Sequence, residues 1–151
     1  MEKLVQYLID KNLTISTCES FTGGLFANLI TDIPNASKTF KGAFICYSND
    51  FKKDIIKVND RIIKKYGVVS KQCAIELAKN TQKITKTDVV ISFTGNAGPG
   101  SLEDKEVGLA YICMCTFEEI IVLKIRQLNL SRVEFKKNAV KEVLMNIYSI
   151  I

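Results

Sequence analysis

The sequence predicts an α/β domain in which helices cover a sheet, and three observations carry that prediction. Strand-like and helix-like segments alternate along the chain. Val89-Val90-Ile91-Ser92-Phe93 is an almost unbroken apolar run, the pattern of a central strand buried on both faces. Ser131 and Glu134 form a capping box, S-x-x-E, beside an apolar stripe at Val133, Val140, Val143, Leu144 and Ile147, which marks a final helix. The chain has 151 residues, near the ~100–150 most common for one domain, and no linker, repeat or low-complexity tract. It reads as one domain over residues 1–151.

In chain order, Leu4, Leu8 and Ile9 form a helical stripe, with Lys3, Asp10 and Lys11 off it. Residues 13–18, where Leu13 and Ile15 alternate with hydroxyl side chains, read as a strand. Glu19-Ser20-Phe21-Thr22-Gly23-Gly24 then turns the chain into an apolar helix reaching about Thr31, and Pro34-Asn35-Ala36-Ser37 is a turn. Residues 41–48, around Phe44-Ile45-Cys46-Tyr47, form a second strand. Asn49 or Asp50 can cap a helix carrying Phe51, Ile55, Ile56 and Val58. A short charged helix over 61–66 ends at Gly67, and Ser70 caps the next, through Ala74, Leu77, Ala78 and Thr81. Beyond the Val89 run, residues 107–115 and 120–125 are two further strands joined by a turn at 116–119.

Composition excludes several classes of function. With 47% apolar and 25% charged residues, neither disorder nor a fibre is expected. There is no histidine, which removes Ser-His-Asp and Cys-His catalysis and every His-ligated metal site. A hydrolase built on this chain must activate its nucleophile with lysine, tyrosine or a carboxylate. The net charge of +5 comes from 21 basic residues, of which only Arg61, Arg126 and Arg132 are arginine. No basic stripe interleaved with aromatics points to nucleic acid, so lysine pairs such as Lys64-Lys65 read as solvated helix faces. An anionic small molecule fits the sign of the charge. The apolar stretches fall short of the ~20 residues that span a bilayer, and no apolar leader opens the chain, so a cytoplasmic protein without a membrane partner is expected. Five cysteines without paired spacing read as reduced thiols, with Cys113 and Cys115 in the core and no metal bound.

Three segments break the core pattern. At Glu19-Ser20-Phe21-Thr22-Gly23-Gly24 a strand passes into a helix, and such a junction aims free N–H groups at one spot, favouring an anion or a developing oxyanion. The plainer alternative is a helix start capped by Ser20 or Thr22, with the glycines for close packing. Thr94-Gly95-Asn96-Ala97-Gly98-Pro99-Gly100 follows the most buried strand and carries more special residues than a surface turn needs, as a loop approaching a ligand would. In Tyr47-Ser48-Asn49-Asp50-Phe51-Lys52 a strand ends in tyrosine and a lysine falls in the first helical turn, although most lysines are simply solvated.

These segments, in this order, resemble the CinA C-terminal domain family, whose stand-alone members are nicotinamide mononucleotide deamidases. Cys18 to Gly24 is similar to the family's E-S-C-T-G-G, Phe44 to Lys52 to its Y-S-N-x-x-K, and Gly67-Val68-Val69-Ser70 to its G-A-V-S. Thr94 to Pro99 resembles its T/S-G-I-A-G-P, and Val107-Gly108-Leu109-Ala110-Tyr111 the strand that follows. The resemblance implies a three-layer α/β/α sandwich with a mixed, mostly parallel sheet. It implies hydrolysis of the carboxamide of nicotinamide mononucleotide to nicotinate mononucleotide and ammonia, with no cofactor and no metal. Ser20 matches the nucleophile, Lys52 the general base and Tyr47 the tyrosine that accompanies them. Thr22, Gly23, Gly24, Asn49, Thr94, Gly95, Asn96, Ala97, Gly98 and Arg132 are the substrate-binding candidates. The implied partner is a pyridine nucleotide, and the implied assembly a homo-oligomer.

The chain departs from the pattern at Phe21, where cysteine is usual, at Asn96, where an apolar residue is usual, and at Glu106, where the loop has proline. Leu130 and Ser131 replace the glycine and aspartate that precede the arginine. The alternative to an enzyme is a module of the same fold that binds a nucleotide with weak or no turnover. A base of this kind must be neutral, so Lys52 is expected to be buried within reach of Ser20, and Lys53 exposed.

Overall fold

The computed structural model describes residues 1–151. Its elements are α1 (Glu2–Asp10), β1 (Ile15–Glu19), α2 (Leu25–Thr31), β2 (Phe40–Ile45), α3 (Asn49–Asp54), α4 (Asp60–Tyr66), α5 (Lys71–Thr85), β3 (Val89–Asn96), β4 (Leu109–Cys115), β5 (Ile120–Arg126) and α6 (Arg132–Asn146), with single 3-10 turns at Ala36–Lys38 and Ile147–Ser149. One five-stranded sheet runs in the order β2-β1-β3-β4-β5. β1 pairs in parallel with β2 and β3, whereas β4 is antiparallel to both β3 and β5. Four strands therefore point one way and β4 alone runs against them, a mixed sheet with helices on both faces.

The alternation of side chains along β3 assigns the layers. Val89, Ile91 and Phe93 face one way and pack with Leu4 and Leu8 of α1, Phe26 and Ile30 of α2, and Phe135, Ala139 and Val143 of α6. Val90 faces the other way, onto Ala74 and Ala78 of α5. Beside it, Leu77 and Cys73 of α5 close over Cys18, Ile56 and Val58. The hydroxyls on this face are satisfied locally: Ser92 donates to the Ala74 carbonyl (2.6 Å) and Thr94 to that of Val68 (2.6 Å).

Several boundaries differ from the sequence reading, each for a tertiary reason. β1 is flanked on both sides and buried at all five positions, so its hydroxyl residues are interior. Ser16 contacts the Thr85 and Thr87 hydroxyls at 3.0 and 2.8 Å. β3 continues through Thr94, Gly95 and Asn96, because β4 pairs with it as far as Asn96 opposite Leu109. Ser48, not Asn49 or Asp50, caps α3 by accepting from the Phe51 N–H (3.1 Å). Val133, placed in the stripe of the last helix, is 61% exposed, and Phe135 and Ala139 take its place in the core. Ser70, the Gly67 C-cap and the Ser131–Glu134 capping box stand as the sequence predicts.

Candidate active site

Ser20 follows the last residue of β1, and its N–H is tied to the Phe93 carbonyl of β3 (3.0 Å). Glu19 explains the turn after it. Its side chain is fully buried and accepts the N–H groups of Gly24 (3.0 Å), Phe26 (3.2 Å) and Ala27 (2.8 Å). The carboxylate therefore caps α2, in the place the sequence offered to Ser20 or Thr22, and Gly24, with a φ of 91°, is the N-cap residue. This corrects the expected oxyanion site: the helix-terminal N–H groups are already taken. The N–H groups of Phe21 and Thr22, just past Ser20, have no acceptor within the chain.

Lys52 reaches the same point from α3. It is 2% exposed, and its amine donates to Ser20 Oγ (3.0 Å) and to the Cys46 carbonyl (2.9 Å). The two residues, 32 apart in sequence, meet because Cys46 docks onto β1 through its N–H to the Glu19 carbonyl (2.8 Å). Below the pair, the Cys18 and Cys46 sulfurs lie 3.3 Å apart. The hydrogen bond to Cys46, together with burial, pushes the Cys18 thiol well up, and the same bond lowers that of Cys46. Lys53 is half-buried rather than exposed, held against Asp50 at 3.4 Å.

A cavity of about 600 Å³ opens above Ser20 and Lys52, at the carboxyl ends of β1, β2 and β3, where ligands of α/β sheets bind. Tyr47, Asn49, Thr94, Gly95, Asn96, Ala97, Gly98 and Arg132 also line it, but Thr22, Gly23 and Gly24 do not. Thr22 is fully buried, and the two glycines serve the turn into α2. Tyr47, 61% exposed, stands at the mouth, where its hydroxyl accepts from Arg132 (2.7 Å). Arg132, the first residue of α6, also donates to the Gly98 carbonyl, so it clamps the glycine loop to the end of β2. Gly95 is dictated by packing, because a Cβ there would lie 2.5 Å from that of Ala110. Asn96 spends its amide within the loop, donating to Leu102 and Lys105 carbonyls and accepting the Leu102 N–H (3.1 Å). No aspartate or glutamate lines the cavity, whose basic side chains are Lys52 and Arg132.

The sequence reading did not place Phe21, Val68, Val69 or Leu102 on the wall. Val68 and Val69 belong to one of the matched motifs, which was the available signal. The remaining polar wall groups are Ser48, Gly100 and Ser101.

Comparison with known proteins bears on the family and the fold. The family model described as CinA C-terminal domain matches residues 1–151. The chain is 42% identical over 139 residues to a competence-damage inducible protein of Bacillus mycoides, covering 92% of this chain and 34% of the relative. To the protein of that name from Bacillus subtilis it is 50% identical over 103 residues, 68% of this chain and 25% of the relative. The chain thus spans about a quarter to a third of the length of these relatives. A CinA superfamily protein from Escherichia coli superposes with a TM-score of 0.94 at 24% identity, over 99% of this chain and 87% of that one. The competence/damage inducible protein CihA from Agrobacterium tumefaciens gives 0.90 at 28% identity, over 98% and 93%. The match over the whole chain and the shared fold lead to one conclusion: this chain belongs to the CinA C-terminal domain family.

Proposed function

We propose that the chain is an amidohydrolase that converts nicotinamide mononucleotide to nicotinate mononucleotide and ammonia through a Ser20–Lys52 dyad. One observation carries the reading: a buried lysine amine 3.0 Å from a buried serine hydroxyl, at the floor of a cavity whose only other basic side chain is an arginine. A chain without histidine needs such a base, and the resemblance supplies the substrate class.

In this mechanism Lys52, in its neutral form, takes the proton of Ser20 along their 3.0 Å contact while Oγ attacks the carboxamide carbon. The N–H of Phe21, a residue of the cavity wall, receives the developing oxyanion, and such a donor is typically worth ~10²–10³ in rate. Lys52 then returns the proton to the departing nitrogen, the C–N bond breaks, and ammonia leaves an acyl-Ser20. Lys52 then takes a proton from water, which attacks that ester; as the acyl–oxygen bond breaks the proton passes to Ser20 Oγ, and the acid released ionises to the carboxylate. Arg132 holds the anionic end of the nucleotide at the mouth, where its guanidinium already bridges Tyr47 and Gly98. The five free, buried thiols support a reducing compartment, the cytoplasm.

The test is ammonia release from nicotinamide mononucleotide by the purified chain with a chelator present. Release matched by nicotinate mononucleotide supports the reading. Binding of the nucleotide without ammonia favours a binding module instead.

A further inference from the structure

The glycine-rich loop is fastened to the opposite wall of the cavity by a pair of charges that the proposed chemistry does not use. Glu103 accepts the N–H groups of Val68 and Val69, the latter at 3.2 Å. Lys105 donates to the carbonyls of Tyr66 (2.6 Å) and Val69 (2.9 Å) and pairs with Glu103 (2.9 Å). Both partners therefore grip residues 66–69, the turn that joins α4 to α5. Val68 and Val69 line one side of the cavity, and Ser101 and Leu102, just before Glu103, line another.

Two features show that the local backbone is shaped around this staple. Gly67 has a φ of +78°, and a Cβ there would lie 2.0 Å from the Glu103 carboxylate, so the acid occupies space that only glycine leaves open. Glu103 and Asp104 take φ values of +61° and +52°, a left-handed conformation that non-glycine residues hold only when contacts enforce it. Burial pushes the Glu103 carboxyl up, but the Val68 N–H, Lys105 and the Val69 N–H outweigh it and hold it below the ordinary range. Its acceptor oxygens are thus available at neutral pH.

We propose that Glu103 is a positioning residue for substrate affinity: its carboxylate fixes Val68 and Val69 as the apolar wall against which the uncharged part of the substrate packs. This rests on the amidohydrolase reading and adds to it a determinant of binding away from the dyad. Neither Glu103 nor Lys105 hydrogen-bonds to Ser20 or Lys52, so the staple acts on binding more than on turnover.

The experiment is steady-state kinetics on nicotinamide mononucleotide with Glu103→Gln and, as a second variant, Lys105→Met. The glutamine keeps the shape but turns an amide NH2 toward an N–H and the lysine. KM should rise at least fivefold in Glu103→Gln, with kcat within twofold of the parent; Lys105→Met should move KM in the same direction by less. An unchanged KM, or a kcat that falls as far as KM rises, overturns the proposal. Hydrogen exchange at the Val68 and Val69 amides separates this from failure of the function itself. Exchange should speed at least tenfold in Glu103→Gln whether or not the parent releases ammonia, and unchanged exchange overturns the staple.

Discussion

Ser20 and Lys52 were legible to different degrees, for a physical reason. A serine where a strand runs into a helix is conspicuous by itself, whereas Lys52 is one lysine among many and becomes special only through burial. Spacing along the chain does not encode burial, so the resemblance carried that residue. Glu19 was missed as a cap because its side chain folds forward onto N–H groups five, seven and eight residues ahead, beyond the usual N-cap offset of ~2–3. Lys52→Arg is expected to be nearly inactive, because arginine stays protonated and cannot act as base. Arg132→Lys should raise KM about tenfold, equivalent to roughly 1.4 kcal/mol, because an ammonium cannot hold Tyr47, Gly98 and an anion with one planar fork. An unchanged KM would make Arg132 merely a brace.

At the scale of elements, the strongest signals were those of local chemistry: the capping box on α6, Ser70 on α5 and the glycine ending α4. Less legible was whatever depends on neighbours. β1 carries hydroxyl side chains as an edge strand might, yet it lies between β2 and β3, and its polar groups bond inside the protein. The loop after β3 begins later than its glycines suggest, since Gly95 serves the close approach of β4. The junction of β1 and α2 depends on a single carboxylate, and Glu19→Ala would leave three N–H groups of that turn without acceptors. Unfolding in urea should register a loss of about 3 kcal/mol or more. A loss below about 1 kcal/mol would mean that water replaces the carboxylate and that the turn does not need it.

Across the whole molecule, the ionisable groups predict a stability maximum with two shoulders. Burial pushes the Asp88 carboxyl up, but the hydroxyl and N–H of Thr14 outweigh it, so this acid, like Glu103, titrates below its ordinary value. The stability they contribute is complete above the unfolded values of ~3.9–4.3 and is lost as pH falls through their lower folded values. Burial pushes Cys73 and Cys113 the other way, up to about 12. Their contribution is complete below the unfolded thiol value of ~8.5 and drains away as pH rises toward the folded one. Thermal melts should therefore show Tm falling below pH ~4 and above pH ~9; a flat acid limb would contradict the hydrogen bonds to the two carboxylates, and a flat alkaline limb the burial of the two thiols. What joins fold to function is that three parallel strands deliver Ser20, the Cys46 carbonyl that holds Lys52, and the glycine loop to one edge of the sheet. The most direct test of that convergence is ammonia release from nicotinamide mononucleotide by Ser20→Ala beside the parent chain, with folding checked by circular dichroism. The account predicts a folded variant with no measurable release; a folded variant that keeps a tenth of the parent's rate would contradict it.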